Sequence, residues 1–208
     1  MDSLRPMDPR QRRSRDLLHR AVLALAAEQP IGELTMTAIA RKAGVHRSTA
    51  HEHASSPSEL LNQALSDELD ALEVLFPTPG ASRAEVASAM SKVMRAVLDH
   101  VHDHLAIYRD GLGDGSDGSL RPMLARQILE STWRLRETVG LEADVEVSGA
   151  PREFVIEAAE RFIAEGTVGV LASWVAQPDP RVDSALATYQ HLLPAWWPRE
   201  VFGGAAPA

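Results

Sequence analysis

Apolar residues in this chain recur every three or four positions, and proline and glycine clusters cut that rhythm into helix-length segments. Asp8-Pro9 reads as an N-cap and first helical position, and Leu17, Leu18, Ala21, Val22 and Leu25 then share a face until Pro30-Ile31-Gly32. Thr35 caps a short helix, Met36 to Ala43, which Gly44 stops because a left-handed turn costs glycine little. Another short helix is expected from about His46 to His53. Ser55-Ser56-Pro57 opens a longer one carrying Leu60, Leu61, Ala64, Leu65, Leu69 and Leu72. Beyond Pro77-Thr78-Pro79-Gly80, four further helices are expected: Ser82 to about Arg109, Leu120 to about Val139, Pro151 to about Ala176, and Val182 to Leu193. The glycine-rich run from Gly111 to Gly118 closes the first of these as a flexible connection. No stretch alternates with a period of two, so the expected fold is all-α.

The segment 35–53 narrows the picture. Two short helices meet at a tight glycine turn; Ala40 at the crossing point lets the backbones approach, and Ile39, Val45 and Ala50 supply the contact. That is the pattern of a helix-turn-helix, the module that sets its second helix in a DNA major groove.

Charge fits a divided chain. The net charge of −8 argues against nucleic acid as a partner of the whole surface, but residues 1–57 hold nine Lys/Arg against six Asp/Glu and the remainder twelve against twenty-three. A basic head can meet phosphate while an acidic body does something else. The absence of cysteine excludes disulfides, thiolate metal sites and a cysteine nucleophile. Apolar runs such as Ala21 to Ala27 fall short of the roughly 20 residues of a membrane span, and no signal-peptide pattern opens the chain. A cytoplasmic protein that does not engage a membrane is expected.

The run "LTMTAIARKAGVHRSTAHEHASSPSELL", preceded by an amphipathic helix and followed by an all-helical body, resembles the TetR family of one-component transcriptional regulators. Thr35, Ile39, Ala40, Ala43, Gly44, Val45, Thr49, His53 and Leu60 stand where that family's pattern has the same residues. The run "FIAEGTVGVLASWV", residues 162–175, is similar to the glycine-containing penultimate helix of the family's ligand-binding and dimerisation domain. Three positions depart: His51 stands for tyrosine, Ala54 for phenylalanine and Pro57 for lysine. The aromatic packs the recognition helix and the lysine meets phosphate, so both docking and affinity turn on what replaces them.

The resemblance implies a helix-turn-helix DNA-binding domain over residues 1–56 and a helical ligand-binding and dimerisation domain over 57–208. It also implies a double-stranded DNA operator as partner, a small-molecule effector and a homodimer. Arg47, near the N-terminus of the second short helix, could fork onto guanine O6 and N7. Thr49, His51 and His53 are then phosphate-facing, with Thr37 as a further candidate, and Ser48 and His46 could touch either base or backbone. Met90, Met94, Val97, Tyr108, Met123, Gln127 and Trp133 are the candidate cavity liners. Gly166 and Gly169 each sacrifice about 1 kcal/mol of helix propensity, which points to close helix approach. With Trp174, Tyr189 and Leu192 they are the candidate dimer interface, a four-helix arrangement in the family.

Spacing argues against metal and catalytic chemistry. His51 and His53 are two apart and His46 and His51 five apart, so helical geometry splits the three histidines of "AGVHRSTAHEHA". In "DHVHDHL", His100, Asp103 and His104 share a face at i, i+3 and i+4, but no evident partner cluster completes a site. The loop "DGLGDGSDG" fails as a calcium loop, since the twelfth position from Asp114 is Ala125 rather than glutamate. No cofactor or metal is expected. There is no nucleophile motif and no phosphate-binding glycine motif, so an enzyme is not expected. The sequence thus points to a ligand-responsive DNA-binding regulator, read as a repressor that a small molecule releases from a palindromic operator. The alternative is a helical ligand-binding or protein-interaction dimer whose head no longer reads DNA.

Overall fold

The computed structural model describes residues 8–140 and 143–197, and among these the chain forms nine α-helices, two short 3-10 turns and no strand. Local chemistry explains where each helix begins. Asp8 accepts a hydrogen bond from the Arg10 amide at 2.8 Å and starts α1 (Pro9–Ala26) with proline at its first position. After a 3-10 turn at Ile31–Glu33, Thr35 accepts from the Ala38 amide and starts α2 (Met36–Ala43). Gly44 ends α2 at φ 69°, a value that disfavours any residue with a Cβ. The chain then enters α3 (Arg47–His53), and α4 (Pro57–Ala71) follows, capped by Ser56 and continued by a 3-10 turn over Leu72–Leu75.

After α4 come α5 (Arg83–Asp103), α6 (Leu105–Leu112), α7 (Leu120–Val139), α8 (Arg152–Val175) and α9 (Val182–Leu192). A reciprocal capping box between Ser82 and Glu85 opens α5. Gly140, at φ 68°, closes α7.

The single helix read from Ser82 to Arg109 is two helices, α5 and α6, that meet at His104 with φ −105° and ψ 29°. No proline or glycine marks the break, and the imidazole of His104 lies 2.7 Å from a carboxylate oxygen of Glu68 on α4. A tertiary contact therefore sits where local propensity continues a helix. The glycine run read as a loop begins inside α6: a Cβ on Gly111 would lie 2.6 Å from Leu120 Cδ2, so the glycine there permits the close approach of α6 and α7.

Side chains from α1 to α4 share one apolar core with α5, α6 and α8, in which Leu18, Val22, Ile39, Leu60 and Leu65 join Leu98, Val101, Tyr108 and Val168. A second core, including Val86, Met90, Leu135, Ile156, Ile163 and Tyr189, fills the far end between α5, α7, α8 and α9. None of the described helices is long and apolar enough to cross a membrane.

Candidate DNA-reading head and ligand cavity

Small residues hold α3 against the head. Ala50 and Ala54 are buried, and the Val45 amide donates to the Ala40 carbonyl at 3.0 Å, locking the turn between α2 and α3. Ala54 thus occupies the core where the family pattern has a phenylalanine, and His51 is exposed where it has a tyrosine. This seat needs only methyl-sized contacts.

Thr37, His46, Arg47, Ser48 and His51 are all exposed. His46 caps α3, with Nδ1 at 2.9 Å from Ser48 Oγ and 3.4 Å from the Ser48 amide. Arg47 follows in the first turn, and its exposed side chain makes no ion pair or hydrogen bond among the described residues. Thr49 is half-buried. His53 departs from its phosphate-facing expectation: it is half-buried, and its Nε2 lies 2.8 Å from Ser14 Oγ on α1. The Ser14 hydroxyl donates to the Gln11 carbonyl, so the imidazole is the donor to Ser14 and pins α3 to α1. Arg10, Arg12 and Arg13 at the entry of α1, and Arg41 and Lys42 at the end of α2, add exposed cations to the same head. On α1, His19 lies 3.3 Å from Asp67 of α4; burial lowers its pKa despite the carboxylate's opposing pull.

A cavity of about 130 Å³ in the body is lined by side chains from each helix from α4 to α9. Five of the seven expected liners, Met90, Met94, Val97, Tyr108 and Gln127, face it together with Val93, Ile128, Leu171 and Trp197. Two do not. Met123 is buried in the main core and borders a groove with Arg15, His19 and Asp67, while Trp133 is 38% exposed and donates its indole N–H to Glu160 at 2.7 Å. Both follow the apolar period of α7 but lie on its flanks, a rotation that periodicity does not resolve. The cavity's polar groups are mostly engaged internally: Thr132 donates to the Ile128 carbonyl, Thr167 to the Ile163 carbonyl and Gln127 to Asp70. The indole Nε1 of Trp197 is buried and has no hydrogen-bond partner among the described residues.

Two polar clusters beside the cavity escape a helix-by-helix reading. Glu160 on α8 is 3% exposed and accepts from Trp133 Nε1 and from Arg136 Nη1, each at 2.7 Å. Its signal was a carboxylate on a face otherwise made of Ile156, Ala159 and Ile163. In the second cluster, His100 and His104 stack edge-on with ring centroids 4.9 Å apart, and Glu68 of α4 joins them. Asp103, expected on this face, is exposed instead. Burial, with the neighbouring His104, lowers the His100 pKa to about 4, against the pull of Glu68 and Asp103. Tyr108, whose hydroxyl lies 2.9 Å from His100 Nε2, has its pKa raised by burial.

Of the expected interface residues, Gly166 and Gly169 look outward, and a Cβ on either would meet nothing within 4 Å. Their small size is therefore not used inside the protomer. They continue a stripe on α8 with Phe154 and Phe162, which are 63% and 65% exposed, beside Leu192 of α9 at 63%. Trp174 and Tyr189 lie buried beneath this face, the Tyr189 hydroxyl lying 3.2 Å from Thr167 Oγ1.

No family model matches the chain, and no curated protein matches its sequence. Solved structures match it over most of its length. A TetR transcriptional regulator from Streptococcus agalactiae aligns with a TM-score of 0.55 and 19% identity, over 86% of this chain and 93% of that one. The dihydroxyacetone kinase operon activator DhaS aligns at 0.58 with 11% identity, over 86% and 93%. The fatty acid degradation regulator FadR from Bacillus halodurans aligns at 0.56 with 14% identity, over 92% and 98%. Such identities speak for fold alone: this chain has the fold of the TetR-family transcriptional regulators.

Proposed function

We propose that the chain is a cytoplasmic, ligand-responsive DNA-binding regulator of the TetR type, a homodimer that represses by occupying a palindromic operator and leaves it when a small molecule fills the body cavity. The head is assigned to residues 1–56 and the body to 57–208. The observation that carries this reading is the exposed surface of α3, where His46, Arg47, Ser48 and His51 stand free of the core on a helix that Ala50 and Ala54 hold in place. A helix N-terminus presenting an arginine beside polar caps suits a major groove, and the other cations of the head supply the phosphate attraction. Replacing Arg47 with alanine is expected to weaken operator binding by about 1–3 kcal/mol and to relax preference at one base pair, measured by fluorescence anisotropy across a set of operator variants. An unchanged affinity and base preference would remove Arg47 from the reading.

Helix α8 supports the dimer. It buries Val155, Ile156, Ala159, Ile163, Val168 and Leu171 within the protomer yet presents phenylalanines and glycines on its opposite side. A helix apolar on both sides needs a cover on both. A second copy provides it, and an isologous contact spaces two heads for a palindrome. Gly166→Arg fits the protomer, because the added side chain enters open space, and is expected to shift the mass in solution from a dimer to the 22.6 kDa monomer in light scattering. A dimer that survives this change places the interface elsewhere.

The cavity points to an apolar effector carrying a hydrogen-bond acceptor, which Trp197 Nε1 could meet. At about 130 Å³ it suits a group the size of benzene and falls short of the roughly 300–1,000 Å³ of drug-sized sites. A larger effector therefore selects a conformation with its walls moved apart. Helix α6 reaches the relevant neighbours in three successive residues: Tyr108 lines the cavity, Arg109 donates to the Val175 and Gln177 carbonyls, and Asp110 accepts from the Ile31 amide of the head. Displacement of α6 would thus be felt at α1 and α2.

A further inference from the structure

We propose that Glu68, His100 and His104 form a binding site for one divalent transition-metal ion, which ties α4 to the joint between α5 and α6. One ligand atom from each of the three residues can be chosen so that all lie within 4.8 Å of one another. Glu68 Oε2 is 2.7 Å from His104 Nε2 and 3.5 Å from His100 Nδ1. Ligand bonds of about 2.0–2.2 Å in a tetrahedral site place neighbouring donor atoms about 3.3 Å apart. An ion is accommodated once the carboxylate and the His104 ring separate slightly and the wider pair closes in, movements that side-chain rotation supplies without remaking either helix.

The donor set defines the class of ion. Two imidazoles and one carboxylate suit zinc, nickel, cobalt or ferrous iron, whereas magnesium and calcium take oxygen-dominated shells. The ring of His100 is already oriented for the task. Its Nε2 faces the Tyr108 hydroxyl at 2.9 Å, so a proton on Nε2 leaves the Nδ1 lone pair directed towards Glu68. Metal-bound histidines are commonly oriented by a polar partner at the second ring nitrogen, the place that the Tyr108 hydroxyl takes here. The side chains of Glu68 and His104 are 41% and 23% exposed, which gives an ion a route from solvent and leaves room for water as a further ligand.

Helical spacing alone proposed Asp103 as the third donor. That residue is exposed, whereas the fold brings a carboxylate from α4, thirty-two positions before His100 in sequence. The competing interpretation is a hydrogen-bonded carboxylate–imidazole cluster that takes no ion. The two differ in whether zinc binds with defined stoichiometry.

The test uses the full chain, purified without a histidine tag and stripped with chelator, titrated with zinc by calorimetry and with cobalt by visible absorption. The expected result is one ion per chain, a cobalt spectrum of nitrogen–oxygen coordination, and a thermal midpoint that rises with zinc. Glu68→Gln and His104→Ala are each expected to lower affinity by more than the roughly 10- to 100-fold that loss of an outer-shell partner costs. Glu68→Gln keeps the shape of the side chain, so far-ultraviolet circular dichroism should match the parent. His102→Ala, which alters an exposed histidine on the same helix outside the cluster, should leave binding intact. Absence of saturable binding, or binding that survives both Glu68→Gln and His104→Ala, overturns the site.

Discussion

Truncating Leu65 to alanine is expected to destabilise the protein by about 2–5 kcal/mol in urea unfolding. The side chain is fully buried in α4, in the core that joins Leu18, Val22 and Ile39 of the head to Leu98 and Tyr108 of the body. Removing it forfeits the transfer energy of the lost carbons and leaves a void that packed helices on either side close only in part. Against a total of about 5–15 kcal/mol, that is a large fraction. Because the core is shared, head and body should still unfold together. The four tryptophans all lie in the body, so their fluorescence reports it alone, while circular dichroism reports every helix. Coincident transitions are expected from the two probes. A cost below about 1 kcal/mol would mean that the void closes or that the two parts do not depend on this residue.

Arg136→Met is expected to cost about 3 kcal/mol, the lower end of the roughly 3–5 kcal/mol found when one member of a buried ion pair is removed. The carboxylate of Glu160 is almost fully enclosed and would keep only the Trp133 indole as a donor. The Arg136 side chain is 37% exposed, and water admitted at its position softens the loss. The double variant Arg136→Met with Glu160→Leu should recover most of the stability, since no charge is then left unpaired. If the single variant unfolds at the parent's urea concentration, the carboxylate is hydrated and the pair carries no structural role.

Both residues show what periodicity makes legible. The starts of α1, α2 and α4 and the Gly44 turn were readable because caps, N1 prolines and a glycine with positive φ are local devices. The break at His104 was not, because its neighbouring contact, Glu68, comes from another helix. The same limitation hid Glu68 from the histidine cluster. It also put Met123 and Trp133 among the cavity liners, since a repeat of three to four residues marks an apolar face but not which neighbour it meets. For His53 the family pattern suggested phosphate, whereas the chain's own Ser14 engages the ring. Exposure at Gly166 and Gly169 required coordinates, because a glycine that admits a partner and one that admits a neighbouring helix of the same chain look alike in sequence.

The central claim is that α3 reads DNA as one of a symmetric pair. The most direct test is footprinting of the purified dimer on the DNA flanking its own gene at about 50 and about 200 mM salt. Protection of a palindrome is expected, with half-sites about 10 base pairs apart, centre to centre, or a multiple of that. Affinity is expected to fall by about 10³- to 10⁵-fold between the two salt concentrations, as when six to ten phosphates are neutralised. Lack of protection on any fragment at low salt, or binding indifferent to salt, would contradict it and leave a helical ligand-binding dimer whose head does not read DNA.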